Sequence, residues 1–357
     1  MFSSKTKGRG ATANAPSDRF NLAGREHDGD WLDERETIDG PTPPPRTQVT
    51  IERPKTILSR NRSPDISFDR SINAYRGCEH GCIYCFARPT HAFHDLSPGL
   101  DFETRLFAKP DASKLLREAL SKAHYRPATI AMGTNTDPYQ PIENRFRITR
   151  DCIAILSETR HPLTITTKSD RVVRDIDLLA DMAKDNLVAV AISVTSLDPK
   201  VHRTLEPRAS SARKRLAAVT MLSEAGIPTY VSLSPIIPAI TDHEIEHLIE
   251  AAAEAGAKAA FFIPLRLPHE VAPLFRAWLS EYYPERANKV MNIVRSIRQD
   301  RDNDPRFFTR MRGNGPWAEL IRTRFAKACR KHGLDQERIT LRSDLFRPPA
   351  GPQGELF

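Results

Sequence analysis

Apolar and polar positions alternate in two different rhythms along this chain, and the rhythm changes about every fifteen residues. Short β-branched or apolar runs predict strands at 71–77 (SINAYRG), 128–134 (ATIAMGT), 163–169 (LTITTKS), 187–196 (LVAVAISVTS), 229–235 (TYVSLSP) and 259–265 (AAFFIPL). Between them lie runs with apolar residues at helical spacing, at 111–123, 150–159, 171–184, 211–226 and 242–256. Gly226 and Gly256 close the last two, where a helix C-terminus favours a residue free to take positive φ. Helical crossovers of this length join parallel strands. The pattern therefore predicts an α/β protein, a partial (βα)6 TIM-type barrel whose chemistry sits just after each strand.

The alternation begins and ends inside the chain. Residues 1–55 are polar and proline-rich, with PTPPP at 41–45, and predict a disordered leader ending in an extended arm and carrying little chemistry. The barrel is expected over 56–267, a helical extension over 268–345 and a flexible tail over 346–357. The extension takes in three helical runs, at 271–283, 285–300 and 318–333.

Composition narrows the function. No apolar run is long enough to span a bilayer and the first thirty residues have no signal-peptide core, which predicts a cytoplasmic protein with no membrane partner. The net charge is +8, and residues 284–357 hold 16 Arg and Lys against 9 Asp and Glu, so the surplus sits at the C-terminal end. That imbalance suggests a polyanionic partner such as DNA or RNA, or else a solvated helix face. In FFTRMRGNGPWAELIRTRF, Arg310, Arg312, Arg322 and Arg324 alternate with Phe307, Phe308, Trp317 and Phe325, a mixture suited to phosphates and stacked bases.

The cysteines change the picture most. Three of five lie in YRGCEHGCIYCFAR as C-x3-C-x2-C, directly after the first predicted strand, with Gly77 and Gly81 letting the backbone wrap a bulky group. Cys78, Cys82 and Cys85 are therefore metal-ligand candidates. Zinc would need a fourth ligand such as His80, His91 or His94. A [4Fe–4S] cluster on three thiolates leaves one iron open for chemistry. Cys152 and Cys329 fall inside helical runs as small core residues.

This loop, with Tyr84 before its last cysteine and six strand–helix units around it, resembles the radical S-adenosylmethionine (SAM) superfamily. Together with TNTDPYQPIE, TITTKS and LEPRASSARKRL it is similar to the spore-photolyase-like group, also termed DNA repair photolyases, over residues 65–265. The resemblance implies that the open iron binds SAM and that one electron breaks a C–S bond of its sulfonium. The product is a 5′-deoxyadenosyl radical that takes hydrogen from a substrate, in a lyase-like repair or modification reaction. An electron donor such as flavodoxin or ferredoxin is implied as well.

SAM ligands are then expected at the strand ends: Thr134, Asn135, Thr136 and Asp137 toward the amino group, and Lys168 toward the carboxylate. Ser193 and Thr195 are expected at the ribose, Glu206 and Arg208 at the methionyl end, and Ser232 and Ser234 on the fifth strand. Ser210 and Ser211 are expected to be helix caps, and Phe261 and Phe262 to be core or adenine surface. The group's hydrogen-donating cysteine has no counterpart in GTNTD, which sets this chain apart. The terminal QGELF resembles a sliding-clamp docking peptide, with Gln353, Leu356 and Phe357 as anchors. The alternatives are a radical SAM enzyme acting on a small molecule or a protein, and a non-enzymatic metal-dependent nucleic-acid-binding protein.

Overall fold

The computed structural model describes residues 8–14, 17, 19–20, 46–337 and 339–349. The strands are β1 (Gln48–Ile51), β2 (Leu58–Arg60), β3 (Arg70–Ile72), β4 (Tyr75–Arg76), β5 (Arg105–Ala108), β6 (Ile130–Met132), β7 (Leu163–Thr167), β8 (Val188–Ser193), β9 (Thr229–Ile236) and β10 (Ala259–Pro264). The long helices are α1 (Ala112–Leu120), α2 (Ile148–Glu158), α3 (Ile176–Lys184), α4 (Ala212–Glu224), α5 (Ile245–Glu254), α6 (Val271–Tyr282), α7 (Pro284–Ser296) and α8 (Pro316–His332).

Seven strands form the main sheet in the order β10-β9-β8-β7-β6-β3-β2, parallel throughout except that β2 runs against β3. The six parallel strands are the six predicted ones, and the helices between them are α1 to α5. This is the expected partial TIM-type barrel. The helices hold to the sheet through one apolar stripe each, such as Ala112, Leu116 and Leu120 on α1 or Ile245, Leu248, Ile249 and Ala252 on α5. Every residue of β8 is buried, as a central parallel strand covered on both faces requires. Gly226 and Gly256 end α4 and α5 with φ of 76° and 87°, the left-handed conformation expected of C-terminal caps.

The first predicted strand breaks in two at Asn73 and Ala74. Its second half, β4, leaves the barrel and pairs with β5 in a separate sheet of order β1-β5-β4. The step carries the chain off the barrel axis just before Cys78. The expected extended arm is therefore β1, a paired strand.

The described residues nearest each end are more tightly docked than expected. Arg9, Gly10 and Ala11 are buried, so the described part of the leader departs from the idle segment anticipated above. At the other end, Ile339 N donates to Tyr230 Oη (3.0 Å), Arg342 N to Asn186 O (3.0 Å) and Arg347 N to Thr159 O (2.9 Å). Phe346 packs on Tyr125 and His161. Asn186, Thr159 and Tyr125 precede β8, β7 and β6, so this segment runs under the N-terminal ends of the strands. Residues 346–349 of the predicted flexible tail are thus held in place, while Gln353, Leu356 and Phe357 lie outside the described residues.

Candidate functional site

The cysteine loop follows β4, and its two glycines are required by space as well as by φ (71° at Gly77, 69° at Gly81). A Cβ on Gly77 would stand 2.7 Å from Phe102 O, and one on Gly81 2.8 Å from Glu103 Oε2. Backbone bonds fix the loop: Cys78 N to Phe102 O (2.9 Å), Ile83 N to Leu205 O (3.1 Å) and Cys85 N to Cys82 O (3.2 Å). Behind it, Thr136 Oγ1 donates to Gly77 O (2.8 Å), while the Gln140 amide donates to Gly77 O (3.2 Å) and accepts from Glu79 N (3.0 Å). Gln140 drew no attention in the sequence, because its role depends on a contact across 61 residues.

Burial pushes all three thiols above the ordinary range, with Lys168 opposing the rise at Cys82 and Cys85. Buried thiolates are costly unless an electron-poor centre takes their charge. Among the described residues, no three His, Cys, Asp or Glu converge on a single metal ion. The ligands of one zinc ion must meet about 2.0–2.3 Å from it, whereas the three thiolates of a cubane each hold a different iron and stand apart. With His91 bonded to Arg105 O and His94 set against Phe107, neither histidine supplies the fourth ligand of a closed zinc site, and three thiolates fit a [4Fe–4S] cluster with one open iron better. His91, expected as a possible zinc ligand, instead bonds Arg105 O through Nε2 (2.8 Å), and burial holds it down at about 4. His94 stacks on Phe107.

The loop after β6 spends its polar groups on the frame. Thr134 Oγ1 and Asn135 N both donate to Asn73 Oδ1 (3.1 and 3.0 Å). Asp137 accepts from Thr167 Oγ1 (2.7 Å), Lys168 N (2.8 Å) and Tyr139 N (2.9 Å). Burial raises its pKa, but His80, whose Nδ1 stands 3.4 Å away without hydrogen-bond alignment, and these donors outweigh that and hold it at about 2.

A second buried carboxylate, Glu206, accepts from Tyr84 Oη, Thr195 Oγ1 (2.7 Å) and Arg215. Burial would raise it, yet Arg215 and then Lys168 bring it to about 2. Arg215, one turn into α4, also donates to Ser193 O (2.8 Å) and Ser210 O (2.6 Å), and so ties the ends of β8 and α4 together. Its sign in the sequence was a lone arginine at an inward position of an otherwise apolar helix stripe.

The other candidates sort by position. Lys168 Nζ lies 5.8 Å from the Tyr84 ring centroid and has no ion pair among the described residues. Ser193 and Ser232 are register partners on β8 and β9, so they share a face, and Ser232 Oγ donates to Ser234 Oγ (2.9 Å). Arg208 pairs with Glu79 (3.0 Å). Ser211 caps α4 as expected, whereas Ser210 bonds Asp170 (2.5 Å). A polar cavity of about 250 Å³ opens beside His80, lined among others by Tyr139, Ser169, Arg171, Arg208 and Lys214.

The arginine-aromatic stretch is largely spent on the fold. Arg310 pairs with Asp65 (2.6 Å) and Arg324 with Glu246 (2.6 Å), Arg322 donates to Gly313 O (3.2 Å), and Phe325 packs on Phe262. Of the four arginines in that stretch, Arg312, beside the exposed Phe307 and Phe308, has no ion pair among the described residues. Paired arginines and buried aromatics produce the same sequence pattern as a nucleic-acid surface. Among the described residues, no helix is long and apolar enough to cross a membrane.

Comparison with known proteins agrees with this geometry. The family model of the radical SAM superfamily matches residues 72–252. Uncharacterized protein Rv2578c of Mycobacterium tuberculosis is 36% identical over 232 residues, covering 64% of this chain and 68% of that protein. Uncharacterized protein MJ0683 of Methanocaldococcus jannaschii is 30% identical over 221 residues, covering 62% and 79%. A solved structure of a spore photoproduct lyase variant superposes with a TM-score of 0.50 at 17% identity, over 75% of this chain and 80% of that one, a likeness of fold. With the cysteine loop at the C-terminal ends of six parallel strands and the family model spanning it, this chain belongs to the radical SAM superfamily, whose members use a [4Fe–4S] cluster and SAM.

Proposed function

We propose that this enzyme uses Cys78, Cys82 and Cys85 to hold the cluster and acts on nucleic acid, in a repair or modification reaction of the lyase type. When bound, the cluster and SAM supply the 5′-deoxyadenosyl radical that removes a hydrogen atom from substrate. A small electron carrier such as flavodoxin or ferredoxin delivers the electron.

The protein's part is placement. Lys168, with no ion pair among the described residues and its charge felt at Cys82, Cys85 and Glu206, receives the SAM carboxylate. Ser193, Thr195, Ser232 and Ser234, gathered at the ends of β8 and β9, face the ribose. Asp137 and Glu206 act one layer out: each is saturated by protein donors and holds a neighbour, Asp137 the Lys168 backbone and Glu206 the Tyr84 ring.

The observation that carries the substrate class is the polar cavity beside His80. It presents Arg171, Arg208 and Lys214 next to the cysteine loop, and neither Arg171 nor Lys214 has an ion pair among the described residues. Asp170, the carboxylate in its wall, is occupied by Ser210. Such a site suits a backbone phosphate, and Phe86, 53% exposed directly after Cys85, offers a face for a base to stack on. The test is anaerobic reconstitution with reductant and SAM, measuring 5′-deoxyadenosine formation with DNA, RNA or metabolite mixtures. Acceleration by nucleic acid is expected. No binding of nucleic acid at low salt, or acceleration by a metabolite or a protein alone, overturns the reading.

A further inference from the structure

Arg88 is fully buried three residues after the last cysteine, and it grips the middle of the cysteine loop. Its Nε donates to Cys82 O (2.9 Å) and its Nη2 to Gly81 O (3.2 Å), while Nη1 donates to Pro98 O (3.0 Å) and Gly99 O (2.9 Å). Its charge is met by Glu103 Oε1 at 2.5 Å, with both side chains excluded from solvent. A buried ion pair is stable only when its remaining lone pairs are also satisfied. Here the leader does that: Gly10 N donates to Glu103 Oε2 (2.9 Å) and Ala11 N to Oε1 (2.8 Å), and Arg9 Nη1 donates to Glu103 O (2.8 Å).

The approach is close enough to dictate sequence. A Cβ on Gly10 would fall 1.6 Å from Gly81 O, so only glycine lets the segment lie on the loop. Further contacts continue along the segment. Asn14 exchanges two hydrogen bonds with Asp101 (3.1 and 2.9 Å), and Arg19 reaches Glu270 (2.8 Å) and Pro89 O (2.8 Å).

We infer that residues 9–11 are a working part of the cluster site, clamping the Glu103–Arg88 pair so that the Gly81–Cys82 backbone keeps the spacing that three irons require. Arg88, Glu103 and the Gly10–Ala11 backbone are positioning residues, since they act through the loop and touch no reacting atom. The inference concerns the cluster alone and is independent of what the substrate is.

Two substitutions in the full-length protein test it. Gly10→Val pushes the segment off Gly81, and Ala11→Pro removes one donor to Glu103 in a stretch without regular structure, a change mild enough to spare the fold. Circular dichroism and thermal unfolding of the cluster-free protein report folding. The rate at which a chelator strips the reconstituted cluster, and the electron paramagnetic resonance line shape of its reduced form, report the site. The expected result is stripping about ten- to a hundred-fold faster, with an altered line shape and unchanged circular dichroism, the usual range for groups that support metal ligands. A wild-type stripping rate and line shape in Ala11→Pro overturns the inference. So does a fall in the stability of the cluster-free protein with no change at the cluster.

Discussion

Cys82 belongs to a buried apolar cluster with Ile83, Tyr84 and Leu205, yet the bonds that fix its loop run through the backbone, and this separates function from folding at the scale of one side chain. Cys82→Ala is expected to abolish cluster binding and SAM cleavage while leaving the circular dichroism spectrum unchanged, because the loop's backbone bonds do not involve the thiol. Arg215 and Glu206 behave oppositely. They form a fully buried ion pair, and Arg215→Met is expected to cost about 3–5 kcal/mol in denaturant unfolding because it strands a buried carboxylate. The same carboxylate sets an acid limit. Glu206 sits at about 2 in the folded protein against an ordinary 4.5, so its contribution is fully present above the unfolded value and is lost as the pH falls through 4.5 toward 2. A urea-midpoint profile should decline across that window and flatten in Glu206→Gln. The cysteines were legible in the sequence because their spacing is local. Arg88, Glu103, Gln140 and Arg215 were not, because each acts through a partner that folding alone brings near.

At the scale of elements, the rhythm of apolar positions was enough for the six parallel strands and their helices, since each buries a long, regular face. It was silent about β1, β2 and β5. These strands are three or four residues long, β1 and β2 are largely exposed, and in all three the pairing rather than apolarity makes the strand. The same limit hid the pairing of Asp65, beyond β2, with Arg310, in the segment that packs on β10 through Arg298. β2 and β10 are the two outer strands of the sheet, so this contact spans the gap that a partial barrel leaves open. Asp65→Asn is expected to destabilise the protein by about 1–3 kcal/mol, the range for a hydrogen-bonded charge. It should also speed amide hydrogen exchange in residues 304–312 ahead of the rest of the chain.

Across the whole molecule, cations gather in two places, the C-terminal extension and the cavity beside the cysteine loop. Part of the C-terminal surplus is held in ion pairs, as at Arg310 and Arg324, while exposed cations such as Lys289, Lys327 and Lys331 have none among the described residues; Arg171 and Lys214, equally without an ion pair there, lie beside the cysteine loop. If a phosphate sits there, Arg171→Ala and Lys214→Ala should each weaken oligonucleotide binding across sequences and reduce the slope of log affinity against log salt by about one. Arg312→Ala, in the extension, is expected to leave that slope unchanged. Titration at several salt concentrations distinguishes the two regions.

The clamp over the cysteine loop also has an order in time. Arg19 leaves the ribosome 251 residues before Glu270, the side chain it pairs with, and Gly10 leaves 93 residues before Glu103. At translation rates of roughly 5–20 residues per second, the early segment waits on the order of ten seconds or longer before its last anchor exists. The cover over the cysteine loop is incomplete until both anchors have emerged, so a cluster loaded during synthesis would meet a partly open loop. An oversized fusion next to this segment would act on that late step, leaving a folded barrel with an unfinished entrance.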